Sequence, residues 1–498
     1  MIQQYVRSHA QCDRIAIRMN RDAISYRDLF ACVDRAAGKM YQSGVSPQDR
    51  VVVDLPRSIN AVIAILAALS NGAAYVPLDP RWPAARKHAI ILSCQPRMIV
   101  TDDPVLSREI SAGTGCPVVS GIELRTIETS ATADLPVWTE DPELIAYILF
   151  TSGSTGIPKG VKVSHRAALA FLSWTSARFA LEPEDVFANF ASFSFDLSVF
   201  DLFNALHHGA TLDLIPEEMC LLPSKLADYI VRHRISVWYS VPWILTSLVR
   251  FGRLDRFPDL PLRIVLFAGE VFPIEDLKRV RQAIPGSAFY NLFGPTETNV
   301  CTYYEVPLDL HSFNRPVPIG RPCCGDRLVV MDIDGRPVGV GEDREGELLV
   351  AGPTVMSGYW GQQDSDCWIR LGIDDAADVY YRTGDLVRYD PDGNLCYLGR
   401  RDDMIKRRGF RIEPAEIEHA ARSIDGVEAC AVVSRTEQAM TRIILWIAPE
   451  LNLHPRQVNE SLASLIPEYM LPDSIRFMAS LPRNPNGKID KEALKKYV

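Results

Sequence analysis

Up to about residue 330, short apolar runs alternate with stretches whose apolar residues recur at helical spacing. Residues 50–55 (Arg-Val-Val-Val-Asp-Leu) read as a buried strand, followed by an apolar helix over 59–70 and a strand over 96–100. The theme returns at 144–149, 235–240 and 263–267, and predicts α/β layering. Between about 317 and 400 the runs shorten and are split by Asp334-Gly335 and Pro391-Asp392-Gly393, which predicts a β-rich section. The last hundred residues read as a small α+β unit. Ile417, Ala420, Ala421 and Ile424 fall at i, i+3, i+4 and i+7 of an amphipathic helix; 427–433 and 441–447 are strand candidates, and 457–465 is a second helix. Residues 400–408 (Arg-Arg-Asp-Asp-Met-Ile-Lys-Arg-Arg) are dense in charge and read as a solvated linker able to act as a hinge. The expected architecture is a large N-terminal α/β domain over 1–401, with a β-rich subdomain at about 317–400, and a small mobile α+β domain over 402–498.

Composition narrows the class. A chain of 498 residues with 47% hydrophobic and 23% charged residues can bury a large core. Its net charge of −9 argues against a nucleic-acid binder, which normally presents a basic face. The longest apolar run, 61–70, is too short to span a bilayer, and the first residues lack the apolar core of a signal peptide. A cytoplasmic protein with no membrane and no nucleic-acid partner is expected. Eleven cysteines without a C-x-x-C pair suit reduced thiols better than a disulfide framework, and adjacent Cys323 and Cys324 are too close for ordinary zinc-ligand spacing. Nine histidines show no H-E-x-x-H grouping, so no transition-metal site is expected.

The chemistry concentrates at 151–160 (Thr-Ser-Gly-Ser-Thr-Gly-Ile-Pro-Lys-Gly), which follows the strand candidate at 144–149. Three glycines let backbone N–H groups turn toward an anion, and four hydroxyls and Lys159 add donors around phosphate oxygens. It is not a Walker A loop, because its lysine follows proline. On composition alone a flexible surface loop is an equal alternative.

Taken with its neighbours, the loop resembles the phosphate loop of the adenylate-forming enzymes, and most closely that of the amino-acid adenylation domains of nonribosomal peptide synthesis. The resemblance runs in order along nearly the whole chain: Ser25-Tyr26-Arg27-Asp28-Leu29, Asn71-Gly72-Ala73-Ala74-Tyr75, the loop, Phe195-Asp196-Leu197-Ser198, Asn291-Leu292-Phe293-Gly294-Pro295-Thr296-Glu297, Gly346-Glu347-Leu348, Tyr381-Arg382-Thr383-Gly384-Asp385, the 399–418 segment, Pro467-Glu468-Tyr469-Met470-Leu471-Pro472 and Asn486-Gly487-Lys488-Ile489-Asp490. It implies the adenylate-forming fold, with the C-terminal domain as a lid hinged at Asp402. It also implies a two-step reaction, in which a carboxylate attacks the α-phosphate of ATP and a thiol then takes the acyl group from the adenylate. ATP and Mg²⁺ are the implied cofactors, with no prosthetic group.

By the same resemblance, Thr151, Ser152, Gly153, Ser154, Thr155, Gly156 and Lys159 cradle the β- and γ-phosphates. Thr296 lies against the α-phosphate, Glu297 coordinates Mg²⁺, and Asp385 accepts the ribose hydroxyls. Asn291 and Phe293 hold the adenine, with Gly294, Gly269 and Glu270 in the same ATP site, while Tyr397 and Arg400 flank ribose and phosphate. Lys488 is the adenylation lysine, and Gly409 lines the pantetheine tunnel. Without the resemblance, Lys488 reads as a surface lysine in a turn and Glu297 as a helix-start glutamate.

Asp196 falls where the amino-acid-activating branch carries the partner of the substrate's α-ammonium group, although Asp-Leu-Ser before an apolar run also suits a helix N-cap. The other pocket positions carry over to Leu197, Phe200, Tyr239, Leu266, Ala268, Leu292, Val300 and Cys301, with Asp196 and Lys488 as the polar ends. This apolar set resembles that of prolyl-activating domains, especially free-standing prolyl-AMP ligases, and implies L-proline. A methylene in an apolar pocket discriminates by only ~1–3 kcal/mol, so physics alone does not separate proline from valine. The rivals are a D-alanine:carrier-protein ligase, an acyl- or aryl-CoA ligase, which Asp196 disfavours, and a non-catalytic nucleotide-binding relic. No carrier domain follows Lys488 and no Gly-Gly-x-Ser site appears, so a stand-alone enzyme serving a separate peptidyl carrier protein is expected. Arg401, Lys406, Arg407, Arg408 and Arg411 are candidate docking charges for that acidic partner, or simply a solvated hinge. Phe293 for tyrosine, Ser357 for arginine, Arg407 for an aliphatic residue and Glu413-Pro414 depart from the family pattern.

Overall fold

The computed structural model describes residues 1–126, 141–153, 155–257, 259–362, 365–372, 378–437, 440–449, 454–484 and 488–497. The chain packs as two units: 1–80, 94–149 and 161–401 form one, and 81–93, 150–160 and 402–498 form the other.

The first unit is layered α/β. A nine-stranded sheet runs in the order Arg321–Pro322, Thr302–Val306, Ala288–Phe293, Ile264–Phe267, Val237–Ser240, Val186–Asn189, Thr211–Leu214, Ile15–Met19, Asp22–Ser25. Its central strands are parallel, with Tyr239 beside Leu266 and Leu266 beside Tyr290. A six-stranded sheet orders Val118–Val119, Met98–Thr101, Arg50–Asp54, Ala74–Pro77, Ile145–Thr151 and Lys159–Ser164. Against these lies Ile59–Ser70, a helix apolar on every side and buried at all but Asn60 and Ser70. Such a helix is stable only inside a core. Its start is fixed by Ser58, whose hydroxyl accepts from the Ala61 N–H at 3.2 Å. The β-rich section is a five-stranded antiparallel sheet built on the twelve-residue strand Asp378–Tyr389, which pairs with Gly346–Ala351, Trp368–Leu371 and Leu395–Arg400.

In the second unit, helices Pro414–Arg422 and Pro455–Ala463 pack with a three-stranded sheet of Ala429–Glu437, Met440–Ala448 and Ser474–Phe477. The charged stretch expected as a linker is not one throughout. Ile405–Arg407 and Phe410–Ile412 form a two-stranded ribbon closed by Arg408 and Gly409, both at positive φ. Buried Ile405 and Ile412 anchor the ribbon in the core, and the Arg407 guanidinium is spent on Asp473 at 2.7 Å and the Leu471 carbonyl at 3.1 Å. High charge density hid a strand whose apolar positions are few but all buried.

Candidate active site

Asp196 sits at the N-cap position of helix Leu197–His207, yet its side chain makes no capping hydrogen bond. It accepts instead from the Thr296 hydroxyl at 2.7 Å. The helix-cap alternative therefore does not account for the aspartate. Burial pushes the carboxyl's pKa up, opposed by the Thr296 hydroxyl and the Leu197 N–H, while Glu297 nearby pushes it further up. The neighbours that act on it are hydrogen-bond donors and a like charge, so the site is short of positive charge.

The other pocket candidates lie in the main core of the first unit. Phe200, Tyr239, Leu266, Ala268, Leu292, Val300 and Cys301 belong to one buried cluster, with Leu197 packed against it. The Phe200 and Tyr239 rings meet edge to face at 5.6 Å, and Asp196 and Asp201 add to burial in holding the Tyr239 hydroxyl protonated.

Two polar side chains here were missed in sequence, because a strand aromatic and a turn asparagine read as packing. The Tyr147 hydroxyl and the Asn299 amide nitrogen are both buried and close enough to interact with each other, and neither meets hydrogen-bond geometry with any other group among the described residues. Burial and the Asp196 charge raise the Tyr147 pKa, and Asn299 opposes them.

Thr296 and Glu297 lie on a turn after strand Ala288–Phe293, not at a helix start. Gly294 opens the turn, and a Cβ there would stand 2.1 Å from the Asn299 carbonyl oxygen, so no other residue fits without a backbone shift. Glu297 is fully buried, and its carboxylate accepts from the Tyr359 hydroxyl at 2.6 Å. Tyr359 carried no signal in the sequence. On the β-rich sheet, Asp385 faces Arg400 across paired strands, and the two form a buried ion pair at 2.9 Å. Arg400 also donates to the Thr383 carbonyl. The Phe293 and Tyr397 rings lie 5.8 Å apart, and the Asn291 amide donates to the Pro318 carbonyl at 2.9 Å. Gly269 and Glu270 follow strand Ile264–Phe267, Gly269 at positive φ.

The loop and Lys488 fall in the second unit. Thr151 ends strand Ile145–Thr151 and Lys159 begins strand Lys159–Ser164. Between them Gly153 accepts from the Gly156 N–H at 3.0 Å, and a Cβ at Gly153 would stand 1.8 Å from the Ile157 carbonyl oxygen. The Ser152 hydroxyl donates to the Arg411 carbonyl at 2.9 Å, and Thr155 is exposed. Ser154, Asn486 and Gly487 lie outside the described residues. Lys488 is exposed, and its backbone N–H donates to the Asn484 side chain at 3.0 Å. Asp402 is exposed and opens the second unit's longest segment.

Among the described residues no group of three or more His, Cys, Asp or Glu side chains is placed to hold a metal ion, and no helix is long and apolar enough to cross a membrane.

The first unit thus carries a half-buried carboxylate and a second, buried carboxylate on a Gly-Pro-Thr-Glu turn, and the second unit carries a glycine-rich loop. Residues 5–360 match the AMP-binding enzyme family and residues 416–488 its C-terminal domain, and the chain belongs to that family. It is 38% identical over 510 residues to the L-proline--[L-prolyl-carrier protein] ligase of Pseudomonas fluorescens, covering 97% of this chain and 96% of that one. The Streptomyces coelicolor protein of the same description is 38% identical over 95% of this chain and 92% of its own. Among solved structures, NpsA-ThdA, an artificially fused adenylation–PCP di-domain from Klebsiella oxytoca, superposes with a TM-score of 0.82 at 25% identity, over 95% of this chain and 92% of that one.

Proposed function

We propose that the protein activates L-proline with ATP to prolyl-AMP and pyrophosphate, then transfers the prolyl group to the phosphopantetheine thiol of a separate peptidyl carrier protein. Asp196 carries this reading. A half-buried carboxylate with a raised pKa, faced by donors and another carboxylate, is stabilised by a ligand that brings its own cation, and an amino acid does so. The apolar pocket candidates suit a hydrocarbon side chain, and the two prolyl-carrier ligases, matched over nearly their whole length, support both the ring and the acceptor.

In this reading the pyrrolidinium pairs with Asp196, and Tyr147 and Asn299 offer hydrogen bonds to its neighbouring polar atoms. The substrate carboxylate, held by Lys488 and Thr296, attacks the α-phosphorus. A bond from its oxygen to phosphorus forms as the bond to pyrophosphate breaks. Positioning and charge neutralisation carry most of such a transfer. Thr151, Ser152, Gly153, Ser154, Thr155, Gly156 and Lys159 hold the departing pyrophosphate. Asp385 takes the ribose hydroxyls, oriented by Arg400, while Asn291, Phe293, Gly294, Gly269, Glu270 and Tyr397 bound the nucleoside.

The donor set fits Mg²⁺ carried in on ATP: Glu297 is one hard, buried oxygen ligand oriented by Tyr359, and phosphates and water supply the rest. Bound there, the ion would neutralise developing negative charge on the phosphates. In the second half-reaction the domain 402–498 turns about Asp402, and Gly409 lines the path of the pantetheine arm. Eleven cysteines scattered without a C-x-x-C pair suit a reducing compartment, and with it the cytoplasm.

Amino-acid-dependent exchange of pyrophosphate into ATP tests the reading. L-Proline supports the fastest exchange; if D-alanine outruns it the substrate assignment fails, and if no acid supports exchange the enzyme reading fails.

A further inference from the structure

Against the pocket candidates Val300 and Cys301 lies a chemical group that the proposed reaction does not use. Cys323 and Cys324 follow the edge strand Arg321–Pro322, and their sulfurs stand 3.5 Å apart. Both thiols point at the same acceptor, the Val300 carbonyl, at 3.4 Å and 3.6 Å. The Cys323 N–H in turn donates to the Cys301 carbonyl at 3.1 Å. Cys324 is at φ +56° and half-buried, whereas Cys323 is buried and close enough to act on the Tyr239 hydroxyl. The pair therefore holds the segment carrying Val300 and Cys301 from behind, and only one of its two sulfurs is open to a small reagent.

We propose that Cys323 and Cys324 form a dithiol site that a peroxide closes to a disulfide and a trivalent arsenical bridges, and that closure weakens amino-acid binding in the neighbouring pocket. The final clause rests on the reading of Val300 and Cys301 as pocket wall. The Cys324 thiolate attacks one peroxide oxygen, the O–O bond breaks, and the hydroxide released takes a proton to become water. Cys323, whose thiol burial holds protonated at neutral pH, then gives up its proton and attacks the Cys324 sulfenic sulfur, and a second water leaves. Two thiols are oxidised by two electrons and one peroxide is reduced to two waters. With phenylarsine oxide two As–S bonds form, the oxygen leaves as one water, and no electrons move. Forming an S–S bond brings the sulfurs from 3.5 Å to about 2.05 Å and removes both S–H donors from the Val300 carbonyl. A buried acceptor that loses its donors drives its segment to shift, and the pocket wall moves with it.

The test uses the full-length protein, reduced, desalted and treated with hydrogen peroxide. Intact mass falls by two hydrogens, dithiothreitol restores it, and peptide mapping places the bridge between Cys323 and Cys324. Phenylarsine oxide adds one equivalent to the reduced protein and none to C324S, which keeps wild-type exchange when reduced. The KM for L-proline rises roughly tenfold on bridging, while the KM for ATP stays within about twofold. A mass gain of oxygen atoms without a bridge, a bridge to Cys301 instead, or an equal mass loss in C324S overturns the site. A bridge that leaves the KM for the amino acid unchanged overturns its coupling to the pocket. If the reduced enzyme activates no amino acid, the functional reading fails, and mass and arsenical binding still decide the dithiol.

Discussion

Replacing Asp196 with asparagine isolates what its charge does. The two side chains are nearly isosteric, and the Thr296 hydroxyl at 2.7 Å can donate to the amide oxygen as it does to the carboxylate. Packing is thus preserved while the charge, half-buried in the free protein and covered once substrate sits on it, is lost. Removing one partner of a buried, hydrogen-bonded ion pair costs about 3–5 kcal/mol, so kcat/KM for L-proline should fall by about 10² to 10⁴ in pyrophosphate exchange. The free protein should respond in the opposite sense. The Asp196 pKa is raised above its unfolded value, so its ionised form is disfavoured by folding. The stability it allows is fully present below the unfolded carboxylate range and declines as pH rises through the raised pKa. At pH 8, D196N should therefore melt no lower than wild type, read by differential scanning fluorimetry without substrate. A carbocyclic probe sharpens the argument. Cyclopentanecarboxylate keeps the ring and carboxylate and lacks the ammonium, so the wild type should reject it because it leaves Asp196 unpaired, and D196N should narrow the preference for proline over it. Exchange within fivefold of wild type, or an unchanged preference between the two acids, refutes the ammonium role. A sharply lowered melting temperature would instead trace the loss of activity to the fold.

Tyr359→Phe removes the hydroxyl that donates to Glu297 at 2.6 Å and keeps the ring. A hydrogen bond to a charged group is worth about 1.5–3 kcal/mol, so kcat/KM should fall roughly 10- to 100-fold with a raised Mg²⁺ requirement; a magnesium titration identical to wild type would dismiss the orienting role. Lys488→Ala should abolish adenylation yet still permit thioester formation from preformed prolyl-adenylate, and equal loss of both half-reactions, each assayed alone, contradicts a lid that uses separate faces. His165 is buried and accepts from the Ile2 N–H at Nδ1, and burial lowers its pKa to about 4. The folded state then refuses a proton that the unfolded chain takes at about 6.5, so stability is present above that pH and lost as pH falls toward about 4. This single group accounts for about 3 kcal/mol, and the stability difference between wild type and H165Q, measured by urea unfolding, should shrink across that range; a flat difference shows that His165 does not titrate there.

The sequence disclosed most where chemistry and periodicity coincide. Helix Ile59–Ser70 was readable because its apolar run ends at Asn71-Gly72, and Ser58 was available to cap it. The strands at Ile264–Phe267 and Val237–Ser240 were readable because fully buried parallel strands are continuously apolar. The ribbon at Ile405–Arg407 was not, because its two anchoring isoleucines are separated by arginines whose partners, such as Asp473, lie far along the chain. Tyr359 and Tyr147 were unreadable for a related reason. Each matters through one hydroxyl brought near a group far along the chain, Tyr359 to Glu297 and Tyr147 to Asn299, and no local spacing encodes such a meeting.

The two carboxylates of the site also constrain each other. Asp196 is half-buried and hydrogen-bonded to Thr296, Glu297 is the next residue in the chain and fully buried, and the Glu297 charge makes ionisation of Asp196 harder. Under the proposed roles they are relieved by different cations, Asp196 by the pyrrolidinium and Glu297 by the Mg²⁺ that travels with ATP. ATP–Mg²⁺ is still a net anion and binds against an unpaired Asp196, and the proline carboxylate binds against an unpaired Glu297, so each ligand, by neutralising one carboxylate, should tighten the other. Like charges this close, only partly shielded, correspond to about 1 kcal/mol or more of coupling, a several-fold effect on affinity. Because linkage is reciprocal, L-proline should increase the affinity for ATP–Mg²⁺ by the same factor as ATP–Mg²⁺ increases that for L-proline, measured by calorimetry with a non-hydrolysable ATP analogue. D196N should abolish most of that coupling while leaving ATP–Mg²⁺ affinity in the absence of proline equal to or above wild type. Coupling that survives the substitution intact would place its origin outside the carboxylate pair.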